Sequence, residues 1–305
     1  MVKFFITFDS FYRGILIIRF HYACFLMKLL AIYSEMRGFC GNLTSRIWEK
    51  GLTWVFKRQT TQVIAHRGSK GTRPENTLLA FQAALDAGAD GIETDVQLSR
   101  DGQMVIMHDE KVDRTTNGSG LIKDLTLAQL KQLDAGSHFG REFAGTKMPT
   151  LDEVIQLLIA DHFSGVFNLE LKTNKIPYPG IEQQLATYFT QQPVPFRLVF
   201  SSFRAQSLVT LRKLYPQAEY AKLFKTAGRQ AKQMERHQQV AGLHPDIRWV
   251  KAHRFWLPHM QLRPWTVNSP ADMAYCFRRH FAGIITDYPA RAVALREKIQ
   301  GSERV

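Results

Sequence analysis

The sequence predicts an α/β fold, a closed parallel (β/α)8 barrel with a small insertion after the second and third strands. Three observations carry that expectation. Short apolar runs alternate with helically spaced segments for roughly eight steps, joined by short links, as parallel strands covered by helices require. Setting aside the first 60 residues leaves about 240, the size of one such barrel. The chemically active side chains His66, Glu93, Asp95, His108, Glu170, Ser201, His244, Trp265 and Asp287 all fall at or just beyond C-terminal strand ends. In a barrel those ends converge on one mouth.

Val63 to Ala65 is a short apolar run ending at His66 and reads as the first strand. From Glu75 to Ala87, Leu78, Leu79, Phe81 and Leu85 stand near helical spacing, and Gly88 stops the helix. Ala89 to Leu98 is the second strand, Asp101-Gly102 a turn, and Met104 to Met107 a strand that leads into His108. Residues 109–149 are too long for an ordinary connection, so the insertion is placed at about 110–149, with a short helix over Leu127 to Leu133. Thr150 with Glu153 is a capping box opening a helix to about His162.

The alternation then continues. Strands are expected at Phe167 to Leu171, Arg197 to Phe200 and Tyr220 to Phe224, and helices at Ile181 to Phe189, Ala205 to Leu214 and Arg229 to Gln238. Leu262 to Thr266 and Gly283 to Thr286 are strands with a helix between them, and Ala290 to Lys298 is the terminal helix. The stretch Leu243 to Met260 shows no regular pattern. Gly68 and Gly71 fail the spacing of a dinucleotide-binding loop.

The net charge of +13 is spread rather than blocked, and points to phosphate-bearing substrates or anionic lipid headgroups. Nucleic acid is excluded as a partner because no zinc-finger spacing, RNP-like run or basic recognition helix is present. Cys24, Cys40 and Cys276 form no ligand or redox spacing, which suits a reducing, cytoplasmic setting.

Residues 1–60 form an N-terminal extension ahead of a barrel over 61–300. Gly14 to Tyr33 is long and apolar enough for a bilayer, but Arg19, His21 and Lys28 interrupt it. An interfacial amphipathic helix is one expectation, giving a peripheral or N-terminally anchored enzyme that meets a membrane surface through residues 1–58. The other is a translated upstream extension, with the functional start nearer Met36 or just before Gln62.

The most informative stretch is Gly91-Ile92-Glu93-Thr94-Asp95-Val96. Alternation puts both carboxylates on one face of a strand, where buried like charges need a counter-ion or a shared proton. With Glu170 they offer three hard oxygen ligands, suited to magnesium or calcium, with manganese also compatible. The alternative is acids in a solvated mouth paired with Arg67 and Lys172. His66 and His108 can act as general base and general acid, with Asp109 or Glu75 orienting one ring. Arg67 and Lys172 can hold phosphate oxygens, and Trp265 can wall the pocket.

These residues lie in runs that resemble a known family. HRG with PENT (His66 to Gly68, Pro74 to Thr77), GIETDVQLSRDG (Gly91 to Gly102), HD followed by DRTTNGSG (His108-Asp109, Asp113 to Gly120), LELK (Leu169 to Lys172), PWTVN (Pro264 to Asn268) and GIITDYP (Gly283 to Pro289) are similar, in order and spacing, to bacterial glycerophosphodiester phosphodiesterases of the PI-PLC-like phosphodiesterase superfamily. The resemblance covers about Gln62 to Ile299.

It implies a TIM barrel with an insertion after the HD pair, and metal-dependent hydrolysis of glycerophosphodiesters to sn-glycerol 3-phosphate and an alcohol. It implies His66 and His108 as the acid–base pair and Glu93, Asp95 and Glu170 as ligands of one divalent cation. Arg67 and Lys172 would contact phosphate, with Glu75 in the surrounding shell. Attack by the substrate's own 2-hydroxyl would give a cyclic phosphate that water then opens. Two other functions remain open: a lysophospholipase-D-like reaction on membrane lysophospholipids, and a barrel that binds phosphodiesters without cleaving them. Headgroup preference and oligomeric state are not legible.

Overall fold

The structure, a computed structural model, describes residues 59–226, 233, 236, 239–258 and 260–301. The N-terminal segment expected at a membrane lies outside the described residues, as does most of the helix expected over Arg229 to Gln238. Among the described residues no helix is long and apolar enough to cross a membrane.

Nine strands are present among the described residues: β1 (Gln62–His66), β2 (Gly91–Leu98), β3 (Met104–Ile106), β4 (Val166–Leu171), β5 (Arg197–Ser202), β6 (Glu219–Phe224), β7 (Gly242–Pro245), β8 (Gln261–Leu262) and β9 (Gly283–Thr286). Eight are parallel neighbours in the order β8-β7-β6-β5-β4-β2-β1-β9, and β3 folds back antiparallel on β2. The open side between β8 and β9 is closed by backbone bonds just past β8. The Ile285 amide donates to the Pro264 carbonyl and the Val267 amide to the Ile285 carbonyl, both at 2.9 Å. The fold is a (β/α)8 TIM barrel.

Eight α-helices are described: α1 (Leu78–Asp86), α2 (Leu127–Gln132), α3 (Leu151–Ala160), α4 (Ile181–Gln191), α5 (Ala205–Leu214), α6 (Ile247–Ala252), α7 (Pro270–Arg278) and α8 (Pro289–Arg296). Their starts follow side-chain chemistry. Thr77, Thr126, Thr150 and Ser269 each accept a hydrogen bond from an amide of the first turn, and at Thr126 and Thr150 a Gln or Glu three residues on completes a capping box.

Strand alternation separates two apolar layers. Outward residues of β2 and β4, including Ile92, Val96, Phe167, Leu169 and Leu171, pack in the large core with helix residues such as Phe81, Val154, Leu185 and Phe189. Inward residues Ile64, Val166, Val199, Ala221 and Ile285 plug the barrel, with Trp265 resting against them. Gly91 pairs with Ile64 and Val166 at that level, so Glu93 and Asp95, two and four residues further on, face inward above it. A third cluster of Val105, Met107, Val112, Ile122, Leu130 and Met148 gives the insertion its own small core.

The stretch Leu243 to Met260, irregular in sequence, begins with β7 and α6. The strand gives no alternation signal because Gly242 and His244 stand where inward apolar residues are expected and Pro245 ends it. The first helix starts at Leu78 rather than Glu75, because Thr77 is its cap and Glu75 belongs to the preceding loop.

Candidate active site

The register assembles the carboxylates. Glu93 lies beside His66 across β1 and β2, and Asp95 lies beside Glu170 across β2 and β4. One oxygen from each of Glu93, Asp95 and Glu170 lies within 4.8 Å of the others, and all three side chains are buried. Three anions so close repel. Burial, reinforced by the charges of Asp95 and Glu170, pushes Glu93 well above the usual carboxylate range. Burial likewise pushes Glu170 up to about 7, against the pull of Lys172. Burial opposes ionisation of Asp95 too, but the charges of His108, Lys172 and Arg67 and the Asn76 amide hold it below that range.

The donor set fits a hard divalent cation. Asp95 Oδ1 is buried and accepts no hydrogen bond among the described residues, an orphan that a cation would satisfy, while Asp95 Oδ2 accepts from Asn76 Nδ2 at 2.9 Å. Asn76 is itself fixed by Thr94, whose hydroxyl donates to its Oδ1 at 2.8 Å.

Both imidazoles are anchored on carboxylates. His66 Nδ1 and Asp287 Oδ1 are 2.6 Å apart, and Asp287 Oδ2 accepts from Asn268 Nδ2 at 2.7 Å. His108 Nδ1 and Asp109 Oδ1 are also 2.6 Å apart, and Asp109 Oδ2 accepts from Arg114 Nε at 2.6 Å. With Nδ1–H donated to the carboxylate, each ring keeps Nε2 for the cavity. Burial and the Arg67 charge pull His66 down to about 4. Burial also lowers His108, with the Asp95 charge pulling the other way. The β2–β3 hairpin places His108: the Met107 amide donates to the Asp95 carbonyl at 3.1 Å, leaving the next residue at the mouth.

Arg67 and Lys172 bind the carboxylates as well as face the cavity. Arg67 Nη1 donates to Glu75 Oε1 at 2.8 Å, and its backbone amide donates to the Glu93 carbonyl at 2.8 Å. Lys172 Nζ donates to Glu170 Oε1 at 2.9 Å and stands 3.7 Å from Asp95 Oδ1. Glu75 also accepts from Arg114 at 2.7 Å and lies 3.7 Å from Lys70. It braces three cations, whereas Asp109 and Asp287 orient the rings. The loop carrying Arg67 depends on Gly68, with φ +78 and a virtual Cβ 2.5 Å from the Ala80 carbonyl carbon.

A cavity of about 510 Å³ joins these groups, lined by His66, Arg67, Glu93, His108, Glu170 and Lys172 on one side and by Phe203, Lys222 and Trp265 on the other. Trp265 lies edge-on to Phe203 at 5.7 Å between centroids and donates Nε1–H to the His244 carbonyl at 2.8 Å. Four residues expected at the mouth do not line it: Asp95 and Asp287 reach it only through Glu170 and His66 beside them, and the other two lie deeper. Ser201 and His244 are fully buried inside the barrel, and Ser201 Oγ and both His244 ring nitrogens have no hydrogen-bond partner among the described residues.

Residues 66–291 match the model of the glycerophosphoryl diester phosphodiesterase family. The chain belongs to that family. As a glycerophosphodiester phosphodiesterase it is an enzyme, a phosphoric diester hydrolase. It is 40% identical over 241 residues to a glycerophosphodiester phosphodiesterase of Caldanaerobacter subterraneus subsp. tengcongensis, covering 78% of this chain and 98% of that relative. It is 38% identical over 245 residues to a glycerophosphodiester phosphodiesterase of Bacillus altitudinis, covering 79% of this chain and all of that one. Among solved structures, an Oleispira antarctica phosphodiesterase in complex with the product sn-glycerol-3-phosphate aligns with a TM-score of 0.66 and 33% identity, over 77% of this chain and 96% of that one.

Several site residues of this phosphodiesterase go beyond the sequence reading. Asn168 lines the cavity, and neither of its side-chain polar atoms has a partner among the described residues. The alternation that marks Glu170 and Lys172 reaches back to it. Asn76 and Arg114 fall inside the PENT and DRTTN runs, but nothing local says that one binds Asp95 and the other clamps Glu75 to Asp109.

Proposed function

We propose that this enzyme cleaves glycerophosphodiesters by intramolecular attack of the glycerol 2-hydroxyl on phosphorus, with His66 as base and His108 as acid and one divalent cation held by Glu93, Asp95 and Glu170. The observation that carries this reading is that the two imidazoles border one cavity with the carboxylate cluster, each with Nδ1 held by its own carboxylate. The cation, when bound, would offset charge developing on the phosphoryl oxygens.

Burial keeps His66 neutral, so Nε2 can take the 2-hydroxyl proton while Asp287 supports the imidazolium that forms. The glycerol oxygen then bonds to phosphorus. The bond to the leaving alcohol breaks, and His108 donates the proton that alcohol needs. His108 suits the acid role because the Asp95 charge offsets part of the effect of burial on its ring. Arg67 offers a planar fork and Lys172 a point charge to the non-bridging oxygens. Water opens the cyclic phosphate with the two rings exchanging roles, giving sn-glycerol 3-phosphate.

The leaving group tests the assignment. With a p-nitrophenyl ester of glycerol phosphate, whose nitrophenolate departs without protonation, His108→Ala retains most of the wild-type rate of nitrophenolate release in the first turnover and then accumulates the cyclic phosphate. His66→Ala loses roughly 10²–10⁴-fold. Phosphorus NMR during turnover reveals the cyclic phosphate. Retention in His66→Ala with loss in His108→Ala would reverse the roles, and equal loss in both variants would discard the assignment.

A further inference from the structure

Opposite β1 in the barrel order stands β6, and near its C-terminal end Lys222 lines the cavity while being almost entirely buried. Its ammonium donates to the Phe203 and Leu223 carbonyls, both at 2.7 Å, and lies 6.0 Å from the centre of the Phe203 ring. Among the described residues it forms no ion pair with a carboxylate. An ammonium has three donors, and two are used. The Glu170 charge acts on Lys222 from beyond contact distance, and an ammonium buried against carbonyl dipoles with no carboxylate touching it is costly unless an anion arrives.

The surroundings point the same way. Among the described residues the only carboxylates lining the cavity are Glu93 and Glu170, both assigned to the cation site, whereas the far wall adds Lys175 and the exposed Lys225. Lys175 is balanced by Glu110 at 3.0 Å; among the described residues Lys222 has no such partner. The aromatic faces that could surround a quaternary ammonium are compromised. Phe203 carries the Lys222 ammonium over its ring, and Trp265 meets Phe203 edge-on. The reacting phosphoryl group already has Arg67 and Lys172, so Lys222 is surplus to it.

We infer that Lys222, with Lys225 at the rim, forms an anion subsite for the leaving alcohol, selecting glycerophosphodiesters whose alcohol carries a second phosphate or a carboxylate over those with neutral or cationic headgroups. This rests on the hydrolytic reading above and names the substrate class for it. The two lysines are specificity residues that touch the departing group and take no part in proton transfer.

The test compares matched substrates with full-length, metal-loaded enzyme: glycerophosphoglycerol, the same diester phosphorylated on its far glycerol, its glycerate counterpart, and glycerophosphocholine. Wild type is expected to show kcat/KM at least about tenfold higher for the phosphate- or carboxylate-bearing diester than for glycerophosphoglycerol, and lower for the choline diester. Lys222→Met, which keeps the apolar stem, and Lys225→Ala should each shrink that ratio while leaving glycerophosphoglycerol turnover near wild type. The phosphate and carboxylate arms show which anion the site takes.

A wild-type enzyme without the preference overturns the inference whatever the variants do. So does a Lys222→Met variant that slows every substrate equally, since that marks a structural ammonium. Calorimetric binding of the same diesters to metal-stripped protein separates the two readings. Preferential binding of the phosphorylated diester, with no turnover of any substrate by the metal-loaded enzyme, keeps the subsite and sinks the hydrolytic mechanism. Turnover without preference sinks the subsite alone.

Discussion

His66 Nδ1 and Asp287 Oδ1 lie 2.6 Å apart, joining the first strand of the barrel to the residue that follows the last. Asp287 in turn accepts from Asn268, so the ring stands on a two-member support. The contact decides which nitrogen carries the proton.

Asp287→Asn therefore tests ring orientation. An amide can donate to Nδ1 and force the other tautomer, removing the free Nε2 that the base needs. The variant is expected to fold normally and lose roughly 10²–10⁴-fold in kcat with little change in KM. A KM effect with unchanged kcat would place Asp287 in substrate binding instead.

Metal affinity should depend on pH. In the metal-free protein Glu170 takes up a proton as pH falls through about 7, and Glu93 is displaced upward as well. A cation must displace those protons. Affinity should rise from pH 6 to pH 8, and calorimetry in buffers of different ionisation heats should register proton release. Affinity independent of pH would contradict the assigned ligands.

Phe200 measures the outer core. It is fully buried between Phe189, Tyr215 and Tyr220. Phe200→Ala should cost about 3–5 kcal/mol, read from urea midpoints, with activity per folded molecule retained.

His244 gives a pH signature of stability. Burial drives its pKa well below the ordinary 6.5, so the folded ring stays neutral where the unfolded chain takes up a proton. The sign follows from linkage: stability is undiminished above pH 6.5 and declines as pH falls below it, by up to ~1.4 kcal/mol per pH unit for this one proton. His244→Gln should flatten the stability profile between pH 6.5 and 5. An unchanged slope would show that the ring titrates normally.

Much of the barrel was legible because its strands alternate strongly. Phe167, Leu169 and Leu171 face outward on β4 while Glu170 faces the mouth, and that contrast survives in sequence. The carboxylate cluster was readable for the same reason: Glu93 and Asp95 share a face, and register adds Glu170. Strand β7 was hidden because its inward positions are a glycine and a histidine. Of Asp109 and Glu75, the two candidates for orienting a ring, Asp109 stands against His108 and Glu75 against Arg67 and Arg114, a choice that spacing alone cannot make. Lys222 passed unnoticed because one lysine in a strand carries no local signal; its meaning comes from β6 lying across the mouth.

The most direct measurement is anomalous diffraction from crystals soaked in manganese. One strong peak should lie roughly 2.0–2.4 Å from oxygens of Glu93, Asp95 and Glu170, as a hard six-coordinate ion requires. Its loss in Asp95→Asn crystals with the fold unchanged would complete the case. A cluster that binds no ion under soaking, in an enzyme that still turns over in EDTA, would contradict it.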